Sequence, residues 1–414
     1  MSKEQYIAGI DIGTHSVRVV QVKLDLEGDL PAVIGAVQVL SAGVRRGVVV
    51  DLDEAITAVS TALEKIERMT AVPVTKAFLA LGGTHIASLT SKGVIAVSKA
   101  NGEVSEADIL RVMDASEAVA IPPNREVIHV IPKAFILDGQ DGIKDPLGMT
   151  GVRLEVDATI VHGSTPLVKN LQRVISQAGV VAEELVVGAI AVAEGVLNRK
   201  QKELGVVVVD IGAGTTSVAV YEENTLLHTV VLPLGGLHIT NDLAIGLRTS
   251  IETAERVKIL YGHAGGSSVG THDKVDLSKL DEAETEQVDR AEIIDIIEAR
   301  LEEIFDYVHK ELKTIGKDGK LPAGVILTGG TSNMPGIVEF AKERLRLPAQ
   351  LGQVQGLRTI IDKVEDPAFS AVCGLILWAV SHGAVASSSG FSANSLLQNP
   401  NVKKLKGWFS SFLP

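Results

Sequence analysis

Short apolar strands alternate with amphipathic helical segments along most of the chain, a pattern that predicts an α/β protein. Two of these segments share one arrangement. Residues 6–22 and residues 205–221 each hold an apolar strand, the sequence Asp-Ile-Gly, a short polar turn and a second apolar strand. The copies lie about 200 residues apart, which is domain spacing, so the pattern predicts an internal duplication with two lobes.

A different pattern lies between the two copies. Residues 152–160 alternate apolar and polar positions like a half-buried strand, and Ser105 with Asp108 forms a capping-box pattern ahead of a helix. We therefore expect a small α+β subdomain inserted at residues 84–162. Further along, the acid-rich residues 281–306 carry apolar side chains at helical spacing and predict an amphipathic helix.

The C-terminal region begins with an apolar run at residues 371–380. This run is too short to cross a bilayer, which takes about 20 apolar residues, so it predicts a buried helix. Residues 384–401 are rich in Ser, Ala and Asn and predict a flexible linker.

The overall charge and the cysteine content exclude some classes of protein. The 414 residues carry 39 Lys and Arg against 51 Asp and Glu, a formal net charge of −12. This acidic balance argues against a general nucleic-acid-binding protein. The single cysteine of the sequence, Cys373, excludes a disulfide framework within the chain and is expected in the core. The first residues lack a signal-peptide pattern, so we expect a cytoplasmic protein.

The charge is unevenly distributed, because residues 367–414 hold no Asp or Glu. On a helical projection of residues 402–414, the apolar side chains fall within an arc of roughly 140°. This predicts an amphipathic helix that lies in an anionic membrane surface, with each lysine contributing about 1 kcal/mol. A helix that docks on the protein itself or on a partner is the alternative. The residues assigned to membrane contact are Val402, Lys403, Lys404, Leu405, Lys406, Trp408, Phe409, Phe412 and Leu413.

Both Asp-Ile-Gly turns have residue types suited to phosphate. Gly13 and Gly212 let the backbone approach an anion, and the N–H groups of such turns form an anion-binding nest. Asp11 and Asp210 are candidates to hold Mg²⁺ through water. For one copy alone an ordinary hairpin turn is the alternative; the recurrence favours two turns that hold the phosphates of one nucleotide from opposite sides of a cleft. The candidate residues are Asp11, Gly13, Thr14, His15, Ser16 and Arg18 in the first copy and Asp210, Gly212, Ala213, Gly214, Thr215 and Thr216 in the second.

Two further glycine pairs stand before predicted helix starts. Gly329 and Gly330, with Thr331, follow an apolar strand, and Gly235 and Gly236 precede a second helix. Such turns let backbone lie flat against a nucleotide, although each alone is also a common loop.

One charged pair is a candidate for ribose contact. Glu255 and Lys258 stand three residues apart on one predicted helix face, where both can flank a ribose. A solvated ion pair between them is the alternative.

At these motifs the sequence resembles the actin-like ATPase superfamily. Residues 11–18 resemble its first phosphate loop, residues 210–216 its second and residues 328–332 its adenosine loop. The chain more closely resembles the FtsA family of bacterial cell-division proteins, in residues 43–49 (Gly-Val-Arg-Arg-Gly-Val-Val), 129–132 (His-Val-Ile-Pro) and 142–154.

The resemblance implies the actin-like α/β fold, ribonuclease-H-like and duplicated, with ATP or ADP in the cleft between two lobes. It also implies four subdomains followed by a tail. The implied segments are subdomain 1A at 1–83 with 163–192 and 375–383, inserted subdomain 1C at 84–162, subdomain 2A at 193–225 and 315–374, subdomain 2B at 226–314, the linker at 384–401 and the C-terminal helix at 402–414.

The resemblance further implies a role in division. It implies head-to-tail protofilaments, attachment of the division polymer FtsZ to the cytoplasmic face of the cell membrane at the septum, and recruitment of later divisome proteins. The C-terminal tail of FtsZ is expected on subdomain 2B, with Arg290 and Arg300 as candidates. Ion pairing with neighbouring acids is the alternative for both arginines.

Two departures from the superfamily pattern bear on catalysis. Many relatives carry Lys where Ser16 stands, so Arg18 becomes the candidate for the β-phosphate contact. Residues 185–189 lack the acid that positions water in chaperone-like ATPases, so we expect slow hydrolysis, with nucleotide acting as an assembly switch. A PilM-like pilus-assembly protein is the nearest alternative, and a small-molecule kinase is an alternative of another class.

Overall fold

The structure is a computed structural model that describes residues 5–24, 30–118, 121–265, 273–282 and 284–382. The predicted linker and the predicted amphipathic helix, at residues 384–401 and 402–414, lie outside the described residues. Within the described ranges, no helix combines the length and the apolar character needed to cross a bilayer.

The first of the two similar segments forms the centre of a five-stranded sheet. β1 (Gln5–Ile12) pairs antiparallel with β2 (Ser16–Leu24), which pairs antiparallel with β3 (Ala32–Leu40). On its other side, β1 pairs parallel with β6 (Lys76–Leu81), and β6 pairs parallel with β11 (Val181–Val187). The strand order is therefore β11-β6-β1-β2-β3.

The second segment repeats this arrangement. β12 (Val206–Ile211), β13 (Thr216–Glu222) and β14 (Thr225–Leu232) pair antiparallel in sequence. β12 pairs parallel with β17 (Val325–Thr328), which pairs parallel with β18 (Ala349–Leu351). The order β18-β17-β12-β13-β14 matches the first sheet strand for strand, so the sequence duplication is also a duplication of topology.

An antiparallel layer lies in the chain between the two copies. β10 pairs with both β7 and β8, β8 pairs with β9, and α2 packs on the layer. The first strand of this layer meets β14 at Ala87 and Val230, which joins it to the second sheet. The predicted capping box at Ser105 and Asp108 is present at the start of α2. The elements are β7 (Ala87–Ala96), α2 (Glu106–Glu117), β8 (Arg125–Leu137), β9 (Gln140–Ile143) and β10 (Arg153–Ser164).

The remaining strands are short, and the other helices pack around the sheets. β4 (Val44–Arg45) and β5 (Val48–Val49) form a small hairpin, while β15 (Lys274–Asp276) pairs with β16 (Gln287–Asp289). The helices besides α2 are α1 (Leu52–Thr70), α3 (Thr165–Gln177), α4 (Gly188–Val196), α5 (Arg199–Leu204), α6 (Gly236–Gly246), α7 (Ile251–Tyr261), α8 (Arg290–Thr314), α9 (Ile337–Leu345) and α10 (Ser370–Ser381).

The apolar run at residues 371–380 lies within α10 and is a buried helix, as predicted. Val372, Cys373 and Leu375 are fully buried, and α10 packs against α4 and β1. Burying apolar surface stabilises a fold by about 25 cal/mol per Å². Packing in the core therefore explains why this helix is apolar.

The helix predicted over residues 281–306 starts later than expected, so that prediction is wrong for the described residues 281–282 and 284–289. Residues Gln287–Asp289 form β16, and α8 begins at Arg290 and continues to Thr314. Pairing with β15 removes these residues from the helix, because Val288 packs in the core as a strand residue. The buried positions Ile293, Ile297 and Leu301 confirm the apolar face of the helix itself.

Candidate functional site

The two Asp-Ile-Gly turns have the same backbone geometry. After β1, the Gly13 N–H donates to the Ser16 carbonyl over 3.0 Å; after β12, the Gly212 N–H donates to the Thr215 carbonyl over 2.9 Å. Each turn therefore closes its hairpin with the same hydrogen bond between residues three apart. The similarity seen in the sequence is a similarity of conformation.

The tips of the two hairpins are in contact, although they belong to different sheets. A Cβ atom on Gly214 would lie 2.7 Å from Thr14 Oγ1, closer than side chains approach one another. Gly214 is therefore a position where a larger residue would push the hairpins apart. The structure thus brings the two predicted phosphate turns side by side.

Two predicted loops of the second lobe converge on the Gly212 carbonyl. The Gly236 N–H donates to it over 2.9 Å, and the Thr331 hydroxyl donates to it over 3.1 Å. A Cβ on Gly235 would lie 2.6 Å from the same oxygen, so this approach requires glycine. The loop before α6 and the loop after β17 are in this way fixed to the second Asp-Ile-Gly turn.

The loop after β17 also contacts an acidic candidate. Gly329 has a φ of 84° in the left-handed region and lies against the Asp210 carboxyl, where a Cβ would overlap it. Gly330 begins a short 3₁₀ turn. On the opposite side of the turn, the Ala213 carbonyl accepts a hydrogen bond from the Leu237 N–H over 2.8 Å.

Glu255 and Lys258 face this assembly. Lys258 Nζ donates to Glu255 over 2.6 Å, to the Thr240 hydroxyl over 2.8 Å and to the Gly236 carbonyl over 3.2 Å. The Thr240 hydroxyl also donates to Glu255. The Lys258 side chain is only 12% exposed, so this is an inward-facing network rather than a solvated pair.

The two acidic candidates differ in their partners. Asp11 lies directly across the hairpin from Arg18, whose Nη1 is 3.4 Å from its carboxylate, whereas the equivalent position opposite Asp210 is Ser217. Burial raises the pKa of Asp11, and the Arg18 charge opposes that rise. Burial, followed by the nearby Asp11 charge, raises the pKa of Asp210 to about 7.

This arrangement fits a phosphate with a cation. Two interacting carboxylates share one arginine, so a cation between them would offset their repulsion. Ser16 Oγ and Arg18 Nε are buried and have no hydrogen-bond partner among the described residues. No group of three His, Cys, Asp or Glu side chains able to hold a metal occurs in the described part, so Mg²⁺ here would depend on the two aspartates, water and phosphate.

Other predicted residues have supporting contacts. His15 is exposed, and its carbonyl accepts from the Ser41 N–H over 2.9 Å. The Thr216 hydroxyl is buried and donates to the Leu234 carbonyl over 2.9 Å, so it supports the loop before α6. Ser16 is fully buried, and this environment differs from the one required by the long lysine side chain that many superfamily members carry at this position.

Arg290 and Arg300 lie on α8 and already have partners. Arg300 donates to Asp242 from Nε over 2.6 Å and from Nη2 over 2.9 Å, and it also pairs with Glu303. Arg290 Nε donates to the Tyr261 carbonyl over 3.2 Å. Beside Arg300, a groove of about 350 Å³ lies between α6 and α8 and is lined by Asp242, Ile245, Gly246, Ile296, Ala299, Arg300 and Glu303.

The sequence analysis missed two parts of this site. Thr240 links Glu255 to Lys258, and the Gly47 N–H donates to Thr14 Oγ1 over 3.0 Å. Thr240 stands in the segment after the second glycine pair, but no residue pattern distinguishes its hydroxyl from any other in a helix. Gly47 lies in residues 43–49, whose sequence resembles the FtsA family but carries no sign of a contact with Thr14.

Comparison with known proteins gives concordant matches. The family model described as cell division protein FtsA matches residues 207–374, and the model described as the SHS2 domain inserted in FtsA matches residues 83–162. The chain is 35% identical to the cell division protein FtsA of Pseudomonas aeruginosa over 97% of both chains. It is 36% identical to that of Bacillus subtilis, over 93% of this chain and 86% of the relative.

Solved structures with similar folds are more distant in sequence. A PilM–PilN type IV pilus biogenesis complex aligns with a TM-score of 0.64 at 17% identity, over 90% of this chain and 98% of that chain. MreB5 of Spiroplasma citri bound to ADP aligns with a TM-score of 0.53 at 14% identity, over 91% and 97%. These likenesses confirm the actin-like α/β fold, and at such identities the likeness to PilM is one of fold alone.

Proposed function

The chain belongs to the FtsA family of actin-like cell-division proteins, and we propose that it binds ATP with Mg²⁺ between its two Asp-Ile-Gly hairpins. Asp11, Asp210 and the phosphates would hold the ion through water, and the ion would neutralise phosphate charge. Nucleotide would control assembly into head-to-tail filaments, with hydrolysis slow or absent.

The observation that supports this proposal most strongly is the convergence of four chain segments. The Thr14 tip meets Gly214, while the loops at Gly236 and Thr331 both bond to the Gly212 carbonyl. Backbone segments of both lobes therefore meet at one short region. Glycine-rich turns of this kind, one of them directly before α6, are suited to a polyphosphate.

We further propose that the filament tethers FtsZ to the membrane. The groove between α6 and α8 combines apolar walls with Arg300, which suits the C-terminal tail of FtsZ. A peptide carboxylate would replace Asp242 or Glu303 as the partner of Arg300. Residues 402–414 would lie in the cytoplasmic face of the cell membrane at the septum, where the assembly would recruit later divisome proteins. Polymerisation would multiply these weak membrane contacts.

Sedimentation of FtsZ polymers with anionic vesicles tests both contacts together. With ATP and the wild-type chain, we expect FtsZ to sediment with the vesicles. Trp408→Glu should lower the affinity of the chain for vesicles by more than about tenfold, because it places a charge on the apolar face of the predicted helix. Ile245→Glu should leave the chain on vesicles but lose FtsZ, because Ile245 is 77% exposed in the groove.

Two matched variants serve as controls. Ser410→Glu adds the same charge to the predicted polar face, and Ile259→Glu changes an apolar residue of α7 that is 67% exposed and does not line the groove. Vesicle binding that survives Trp408→Glu would contradict the membrane contact. Equal loss of FtsZ in both isoleucine variants would contradict the groove.

A further inference from the structure

Arg46 is one of seven non-glycine residues in the described ranges with a positive φ, and it lies in a hairpin turn beside the candidate site. It forms the turn between β4 and β5 together with Gly47, and the two residues have φ values of 50° and 72°. Two positive φ values in a two-residue hairpin turn are the pattern of type I′, which favours Asn-Gly or Asp-Gly. An arginine in this conformation is strained, and strain of this kind concentrates at functional sites.

The turn lies at the meeting point of the two phosphate hairpins. The Gly47 N–H donates to Thr14 Oγ1 over 3.0 Å on the first hairpin. A Cβ on Gly214 of the second hairpin would lie 3.2 Å from the Arg46 Cα. The backbone of Arg46 is therefore packed at the contact between the lobes.

The charge of Arg46 is free to act on a ligand. The residue is exposed, and no side chain or backbone group in the described ranges forms a hydrogen bond or an ion pair with its guanidinium. Its field nevertheless reaches across to the second lobe, where the charges of Arg300 and Arg46, after burial, lower the pKa of His238 in the first turn of α6. The backbone of Arg46 thus lies beside both hairpins, and no acid in the described ranges pairs with its guanidinium.

We propose that Arg46 binds the terminal phosphate of a nucleoside triphosphate and so distinguishes the triphosphate from the diphosphate. This inference rests on the proposed function and names a specificity-determining residue of the same site. A guanidinium binds phosphate oxygens through two parallel N–H groups, and the strained turn holds its Cα at a fixed place between the lobes.

Titration calorimetry with ATP and with ADP tests the inference on the full chain in Mg²⁺. Arg46→Asn should weaken ATP binding about 10- to 100-fold, the range for a lost hydrogen bond to a charged group, and ADP binding by less than about threefold. Arg45→Asn removes the same charge one position earlier, from another exposed arginine, and should change both affinities by less than about twofold.

Thermal unfolding of the Arg46→Asn variant is the control for the fold. Asn tolerates the left-handed region, so Arg46→Asn should unfold at a temperature no lower than the wild type while ATP affinity falls. A parallel change in ATP and ADP affinity, or no change in either, would overturn the inference while leaving nucleotide binding intact. A wild-type chain that binds neither nucleotide would overturn the proposed function and this inference with it.

Discussion

The β1–β2 and β12–β13 hairpins have the same turn conformation, but their aspartates have different residues opposite them. Both turns close with the same hydrogen bond, from Gly13 to Ser16 and from Gly212 to Thr215. Opposite Asp11, however, stands Arg18, and at the same position opposite Asp210 stands Ser217. The duplication has preserved the backbone and changed the charges: Asp11 lies directly opposite Arg18, whereas Asp210 has a serine opposite it and is raised in pKa by burial and by the Asp11 charge, with the Arg18 charge opposing that rise.

Removing Arg18 should give the largest change in the free energy of unfolding. Arg18→Ser places a serine opposite Asp11, as Ser217 stands opposite Asp210. Arg18→Ser should lower the free energy of unfolding by about 2–3 kcal/mol, since it leaves Asp11 without its partner. The guanidinium also lies 5.7 Å from the Phe369 ring centre, so packing is lost with the charge.

Urea unfolding at pH 8, without nucleotide, measures this change. Arg45→Ser, at an exposed arginine, should stay within about 0.5 kcal/mol of the wild type. Equal stability of the two variants would mean that the pair of Asp11 and Arg18 contributes nothing to the free energy of unfolding, which would contradict the contrast between the two hairpins.

The same neutralising change should have effects of different size on the two hairpins. Asp210→Asn should stabilise the chain by about 1–2 kcal/mol at pH 8, because it removes a carboxyl whose pKa burial and the Asp11 charge raise. Asp11→Asn should stabilise the chain less, because the Arg18 charge opposes the effect of burial on Asp11 and loses its partner in this variant. The native pKa of Asp210 is raised to about 7, so the native state binds more protons than the unfolded state between about pH 4 and pH 7. The wild type therefore loses stability as the pH rises through this window, and the loss is complete above it.

The difference in unfolding free energy between Asp210→Asn and the wild type isolates this contribution. It should grow from pH 5 to pH 7 and then level off, in buffer without divalent cations. A difference that does not vary with pH would mean that Asp210 titrates at an ordinary pKa, and the contrast between the two carboxyl groups would fail.

A smaller effect should appear where the hairpins touch. Gly214→Ala places a methyl group against Thr14 and the Arg46 backbone and should weaken ATP binding about tenfold by separating the tips. Thr14→Ala removes the main obstacle, so the double variant should recover part of the loss, with a coupling of about 1 kcal/mol.

Gly188→Ala is the control for this cycle, because a Cβ there has no neighbour closer than 3.7 Å. Strictly additive losses in the Gly214 and Thr14 variants would show that the two tips do not act on one ligand.

Much of the fold follows from local pattern. The apolar strands, the Asp-Ile-Gly turns and the capping box at Ser105 are written in short stretches of sequence, and the structure reproduces each. The apolar run at residues 371–380 is likewise a helix because its burial agrees with its pattern. The described residues before Arg290 did not follow their pattern, and residues 287–289 pair instead with the nearby strand β15 at residues 274–276.

The site was less accessible from sequence than the fold. The turn glycines are recognisable, but the contact of Gly214 with Thr14 depends on how two sheets are arranged in space. The pKa of Asp210 depends on burial and on a carboxylate from the other lobe. For Arg300, ion pairing with neighbouring acids was the alternative, and Glu303 on the same helix is such an acid; only the position of α6 reveals the pairing with Asp242.

The central claim is that two hairpins from different lobes hold the phosphates of one nucleotide. A crystal structure of the full chain with Mg²⁺ and a non-hydrolysable ATP analogue measures this directly, through the distances from phosphate oxygens to backbone nitrogens. The account predicts nitrogens from both residues 13–16 and residues 212–216 at about 3 Å. Phosphates that contact one hairpin alone, or that lie outside the region between Thr14 and Gly214, would contradict it.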